Sequence, residues 1–170
     1  MGVRVGLYGG SAAGSGAAET VSELVRGGCA VAYVTNNASR TPGEVAAHLD
    51  ELGIPAAASE VVTSSQVAVQ ILRKYAPAGS RVFVVGGAGV EQALLDAGFI
   101  ASRDPRHCVA VVQGFGPLVS WEDLAQASYL IQAGAIWIAT NLDSTFPTQL
   151  GIAPGNGSFV AAVRNAVGRE

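Results

Sequence analysis

Residues 29–54 read CAVAYVTNNASRTPGEVAAHLDELGI, and the reading of this stretch decides the fold. Cys29–Thr35 is a continuous apolar run, the pattern of a strand covered on both faces. It gives way to Asn36-Asn37, and Thr41-Pro42-Gly43-Glu44 then forms a capping box with proline at the first helical position. The helix so opened carries Val45, Leu49 and Leu52 on one face and closes at Gly53. A strand, a polar loop and a helix in that order are the start of a βαβ unit.

The same alternation runs outward in both directions. Upstream, Val3–Tyr8 reads as a strand and Gly9–Gly16 as a flexible loop. Ala17–Arg26 reads as a helix with Val21, Leu24 and Val25 inward, stopped by Gly27-Gly28. Downstream come a short strand at Val61-Val62 and a helix over Ser64–Tyr75 using Val67, Ile71 and Leu72. Arg81–Val85 is the next strand, and Val90–Ala97 a helix with Leu94 and Leu95 inward. Cys108–Gln113 is again a strand, and Ser120-Trp121-Glu122-Asp123 caps a helix that runs to Ala133. Ala135–Thr140 is a strand, a Pro/Gly/Asn loop follows, and the last helix begins near Gly157. Strands alternating with helices of about 10–15 residues imply a mainly parallel sheet, so the expected class is α/β. Tyr75–Ser80 (YAPAGS), with its proline and glycine, reads as a hinge between two groups of these units.

Composition narrows the function classes. Of 170 residues, 49% are hydrophobic and 14% charged, a balance that suits a sheet with helices on both faces. A net charge of −3 with ten Lys and Arg supplies no basic footprint, so no nucleic-acid partner is expected. No apolar run approaches the roughly 20 residues that cross a bilayer, so no membrane partner is expected either. The opening MGVRVGLYGG has no secretory pattern. Cys29 and Cys108 each lead into an apolar run and are expected to be reduced, buried thiols, which points to the cytoplasm.

Three places are candidate sites. Gly9–Gly16 after the first strand has the glycine content of a phosphate-cradling turn, but the Lys of a P-loop and the register of a dinucleotide fingerprint are both missing. Thr35-Asn36-Asn37, at the carboxyl end of a strand, puts a hydroxyl and successive amides where open parallel sheets bind ligands. The competing reading is a strand end whose Asn residues satisfy turn hydrogen bonds. Asp143, in NLDSTFPTQ, is either an Asx-turn carboxylate or a ligand contact. His48 is expected to be solvated and His107 to stand alone, while Trp121 and Trp137 fit packing roles.

VTNNASRTPGEVAAHLDELGI, followed by VVTSSQVAVQIL, resembles the second conserved motif of the haloacid-dehalogenase phosphatases and the helix after it. The resemblance continues through RVFVVGGAGVEQALLDAGF and VVQGFGPLVSWEDLAQASYLIQAGAIWIATNLDSTFPTQLGIAPGNGSFVAAV, which are similar to the large α/β cap of the nitrophenylphosphatase and glycerol-phosphate phosphatase (NagD-like) subfamily. It covers residues 16–168. The resemblance implies a Rossmann-like parallel core over residues 1–78, of which only the N-terminal half is present, a complete cap over 79–166, and the start of a return to the core at 167–170. It further implies a phosphorylated small molecule as partner, with Thr35 binding the phosphoryl group and Asn36 and Asn37 beside it. Asn141, Asp143 and Thr145 would lie in a cap loop facing the site.

The chain also departs from the family pattern. Phosphatases of this kind use D-x-D-G at the end of the first strand, one Asp attacking phosphorus and the second transferring the proton. Registering Gly6-Leu7-Tyr8 and Gly16-Ala17-Ala18-Glu19 onto that pattern puts Val3 and Val5 at the aspartate positions. The Lys-bearing third motif and the acidic fourth motif would follow Val163–Arg169, where the sequence stops at Glu170. The expectation is therefore a truncated chain with no catalytic residues. The family's Mg²⁺ is not expected to bind, and the exposed half-core could associate with a second copy or with a complementing core half.

Overall fold

A strand needs a partner for its backbone as well as apolar side chains, and that requirement trims several of the apolar runs. The computed structural model describes residues 8–9 and 12–168. At its start β1 (Tyr8–Gly9) and β2 (Ala12–Ala13) pair antiparallel, Tyr8 in the expected first strand and the other three residues in the expected loop Gly9–Gly16. The expected strand Val3–Tyr8, including Val3 and Val5, lies outside the described residues apart from Tyr8.

Helix α1 (Ala17–Arg26) has the expected bounds and ends at Gly27. Val21 is buried with Ala17, one turn away, against Tyr33, Val45, Leu49, Ile54 and Val61. Leu24 and Val25, expected inward, are exposed, because a single narrow stripe of the helix meets that cluster. The following strand β3 is Tyr33–Thr35, shorter than the run Cys29–Thr35. The Cys29 amide donates to the Leu24 carbonyl at 3.0 Å and so completes the end of α1 instead of joining a ladder. Cys29 is consequently exposed and Cys108 only partly covered, which corrects the expectation of two buried thiols. Desolvation pushes the Cys108 thiol above its ordinary pKa.

Helix α2 (Pro42–Glu51) forms the anticipated capping box: the Glu44 amide donates to Thr41 Oγ1 at 3.2 Å, and the Thr41 amide to the Glu44 carboxylate at 2.7 Å. Hydrogen bonds to its carboxylate from the Thr41 amide and then the Thr41 hydroxyl hold Glu44 below its ordinary pKa. Val45 and Leu49 are buried, as expected. His48 is partly buried, less solvated than expected, with Nδ1 3.4 Å from the Glu51 carboxylate. Strand β4 (Val61–Thr63) pairs parallel with β3, Tyr33 opposite Val61 and Thr35 opposite Thr63.

Helix α3 (Ser64–Leu72) turns Ala68, Val69 and Leu72 inward, whereas Val67 and Ile71 are exposed. Its inward stripe packs on a second, larger sheet. That sheet comprises β5 (Arg81–Val85), β6 (Ile100–Ser102), β7 (Ala110–Gln113) and β8 (Ile136–Ala139), all parallel in the order β6-β5-β7-β8. The edge strand β6 has no counterpart among the expected strands. On one face Val82, Val84, Ala110 and Val112 pack against α3 and α4 (Ala88–Asp96), through Val90 and Leu94. Leu95, expected inward, is exposed. On the other face Phe83, Val85 and Val111 meet Ala127 and Ile131 of α5 (Trp121–Gln132) and Val163 of α6 (Asn156–Val167). Between β8 and α6 the expected loop contains a hairpin, β9 (Thr145–Thr148) with β10 (Gly151–Pro154).

Trp121 stands at the start of α5 as expected, but it is 79% exposed and so is not a packing residue. Trp137 is partly buried, its indole N–H donating to Gln113 Oε1 at 3.0 Å. No helix among the described residues is long and apolar enough to cross a membrane.

Candidate functional site

Thr35 is the last residue of β3, so the residues after it leave the carboxyl edge of a parallel ladder. There Thr35 Oγ1 accepts the Asn37 amide at 3.1 Å, and Asn37 Oδ1 accepts both the amide and the hydroxyl of Ser39 at 2.8 Å. These are the turn-satisfying bonds of the competing reading, and they bend the chain into a compact loop. The start of α3 holds the loop from one side. Ser64 donates to the Asn36 carbonyl at 3.0 Å, and the fully buried Ser65 to the Ala38 carbonyl at 3.1 Å.

The segment after β8 holds it from the other side. Asn141 Nδ2 donates to the Asn36 carbonyl at 3.1 Å, and Asn36 Nδ2 donates to the Asp143 carboxylate. The Asx-turn foreseen for Asp143 belongs to Asn141, whose Oδ1 accepts the Asp143 amide at 3.2 Å. The Asp143 side chain reaches instead across to the loop after β3. Residues separated by more than a hundred positions meet at hydrogen-bond distance.

Five of the six residues singled out from sequence therefore form one group: Thr35, Asn36, Asn37, Asn141 and Asp143. Thr145 starts β9, is exposed and pairs in register with Pro154; the bonds that join the other five do not include it. Sequence reasoning missed Ser64, Ser65 and Asn156. The first two follow a strand in Thr63-Ser64-Ser65, the same polar strand-end signature as Thr35-Asn36-Asn37. Asn156 sits in Gly155-Asn156-Gly157-Ser158 at the start of α6, and its Nδ2 donates to the Asn141 carbonyl at 2.8 Å.

Close backbone approach ties the two sheets together beside this group. The Gly89 amide donates to the Ser39 carbonyl at 3.2 Å, and a Cβ on Gly89 would collide with the Arg40 carbonyl. The glycines after β5 leave room for the 38–40 loop where any side chain would push it away.

A divalent cation requires several hard oxygen ligands, carboxylates foremost. Asp143 brings one carboxylate to the group, and Asn36 occupies one of its oxygens. Among the described residues no cluster of three or more His, Cys, Asp or Glu is arranged to hold a metal ion. The donor set on these residues does not fit a Mg²⁺ centre. The most strongly shifted carboxyl lies elsewhere: a bidentate hydrogen bond from Arg106 lowers Asp104 to about 2.

Residues 6–100 match the family of haloacid dehalogenase-like hydrolases. The chain belongs to this family. A D-glycerol 3-phosphate phosphatase of Mycobacterium tuberculosis is 46% identical over 139 residues, covering 81% of this chain and 39% of that protein. An acid sugar phosphatase of Staphylococcus saprophyticus is 35% identical over 162 residues, covering 95% of the chain and 62% of the relative. The crystal structure of a glycerol phosphate phosphatase from M. tuberculosis, in complex with magnesium, superposes with a TM-score of 0.91 at 41% identity. That overlap takes in 96% of this chain and 49% of the mycobacterial one. This member of the haloacid dehalogenase-like hydrolases thus spans between 39% and 62% of the relatives compared. The α/β fold with parallel sheets is the fold of those phosphatases. The family match begins at residue 6, after Val3 and Val5.

Proposed function

We propose that residues 35–37 and 141–145 form the substrate-binding part of a phosphomonoester hydrolase acting on small molecules, of the glycerol phosphate, sugar phosphate or nitrophenyl phosphate class. The observation that carries this reading is the meeting of Asn36 with Asn141 and Asp143 at the carboxyl ends of parallel strands. Thr35 and the amides after it receive the phosphoryl oxygens, with the Asn37 amide released from Thr35 Oγ1 as the anion takes its place. Asn141, Asp143 and Thr145 contact the alcohol portion. In this division residues 1–78 belong to the core and 79–166 to the cap. The names of the mycobacterial and staphylococcal relatives support the substrate class.

The 170-residue chain binds the phosphate ester without turning it over. Phosphoryl transfer of this kind needs an attacking carboxylate, and valine stands at both positions, Val3 and Val5, where the resemblance puts the aspartates. Isothermal titration of the purified chain with inorganic phosphate and glycerol 3-phosphate tests the binding half. Weak binding that Thr35→Ala abolishes is expected, and equal binding by both proteins would refute it. The catalytic half is tested with p-nitrophenyl phosphate and Mg²⁺: no hydrolysis is expected, and hydrolysis lost in Thr35→Ala would sink the inactive reading.

A second reading, a non-catalytic partner module, is favoured by one feature. Val34 and Val62 sit side by side on an exposed face of the β3–β4 ladder, with Val34 79% accessible. A small apolar sheet face of this kind is an association surface. Either a second copy or a complementing core half would cover it. Sedimentation of a monomer with a single cooperative melt would remove the basis for this reading.

A further inference from the structure

We propose that the N-terminal end of α6 with its cap, Gly155-Asn156-Gly157-Ser158, sets the position of Asn141 and Asp143 against Asn36, with Asn156 as the positioning residue. The inference rests on the reading of those three residues as part of the binding group. The start of a helix leaves backbone N–H groups without intrahelical partners. In α6 they are directed at the 141–144 segment. The Gly155 amide donates to the Ser144 carbonyl at 2.8 Å and the Gly157 amide to the Asp143 carbonyl at 2.9 Å. The Ser158 hydroxyl adds a bond to the same Ser144 carbonyl at 2.7 Å. Asn156 Nδ2 donates to the Asn141 carbonyl at 2.8 Å and lies 3.4 Å from the Gln113 carbonyl at the end of β7. One helical turn therefore grips three of the four carbonyls in the segment that reaches Asn36.

The glycines are part of the grip. A Cβ on Gly155 would fall on the Asp143 carbonyl, and one on Gly157 on the Leu142 carbonyl. Only hydrogen at these positions lets the turn approach so closely. Asn156 itself is 1% exposed, and its Oδ1 has no partner among the described residues. A buried acceptor left unpaired costs free energy. Stability alone gives no reason for an amide at this position; holding the Asn141 carbonyl does. Through Asn156 the end of β7 is tied to residue 141, and through Asn141 and Asp143 to the loop after β3.

Nuclear magnetic resonance on the ¹⁵N-labelled full chain separates positioning from a merely structural role. The probes are the side-chain amide pair of Asn36 and the hydrogen exchange of the Asp143 amide, read against amides 82–85 in the larger sheet. In Asn156→Ala and Asn156→Asp the Asn36 pair is expected to move to the position of a solvated amide. Exchange at Asp143 should quicken by about tenfold or more, with amides 82–85 unchanged. Asn165→Ala, exposed on the same helix, should leave every probe where it was. A folded Asn156→Ala protein that keeps the parent Asn36 signals and Asp143 exchange overturns the proposal. If neither Asn156 variant folds, Ser158→Ala carries the test, with a smaller change in the same direction expected and an unchanged spectrum overturning it. Loss of phosphate binding is not among the readouts. A chain that fails to bind phosphate but shows these shifts would defeat the proposed function and leave the positioning role standing.

Discussion

In the larger sheet Val82, Phe83, Val84 and Val85 are all buried, alternate side chains facing α3 and α4 on one side and α5 and α6 on the other. In the β3–β4 ladder burial alternates instead: Tyr33, Val61 and Thr63 are buried, while Val34 and Val62 face outward. The two apolar runs, RVFVV and YVT with its partner VVT, look alike in sequence. The difference is whether helices cover both faces, and hydrophobic stabilisation follows the area removed from water, not the composition of the strand.

That contrast can be broken or sharpened by mutation. Phe83→Ala, at the centre of the doubly covered sheet, should cost the most, about 4 kcal/mol in urea denaturation followed by Trp137 fluorescence. A cost below about 1 kcal/mol would mean that the sheet is loosely packed. Leu49→Ala, fully buried under the smaller ladder, should cost about 3 kcal/mol. Its hydrogen exchange should quicken at residues 45–52 before residues 82–85; uniform acceleration would show that the two sheets unfold as one unit.

Smaller effects follow at the surface. Thr41→Ala removes the cap of α2 and should cost about 1 kcal/mol by thermal melting. Because Glu44 is held below its ordinary pKa, its share of the cap is present above the unfolded-state value of about 4.3 and is lost as pH falls through the lowered folded-state value. The penalty for Thr41→Ala should therefore shrink in acid, and one that grew there would contradict the capping role of Glu44. Val34→Thr should change stability by less than about 0.5 kcal/mol, since the side chain is already exposed. If the same substitution alters the sedimentation coefficient, the uncovered face is an association surface; if not, it is plain surface.

Much of the fold is legible in the sequence, for reasons that differ by element. The start of α2 is legible because a capping box is a local pattern, complete within Thr41–Glu44. The bounds of α1 are legible because glycine ends it. The inward faces of α1, α3 and α4 are misjudged at Leu24, Val25, Val67, Ile71 and Leu95, where apolar side chains flank the true stripe. Ala68 and Val69 are smaller or equal in hydrophobicity, so periodicity cannot rank them above Val67 and Ile71. The β9–β10 hairpin is hidden by Pro147 and Pro154, which disfavour strand interiors but are tolerated in an isolated two-stranded ladder.

The site divides in the same way. Thr35, Asn36, Asn37, Asn141 and Asp143 are singled out by their place after strands and by resemblance, and the folded chain brings all five together. Ser64, Ser65 and Asn156 escape notice because their roles depend on carbonyls far away in the chain.

By itself, then, the sequence determined the α/β alternation, the caps and breaks of its helices, and membership of the family of haloacid dehalogenase-like hydrolases. These are local properties, set by propensity, periodicity and residue type. Only the tertiary structure decided which apolar faces are covered and that Asn156 grips the segment reaching Asn36. Burial and hydrogen-bond pairing between distant residues depend on how the layers pack, and packing is a property of the whole chain in three dimensions.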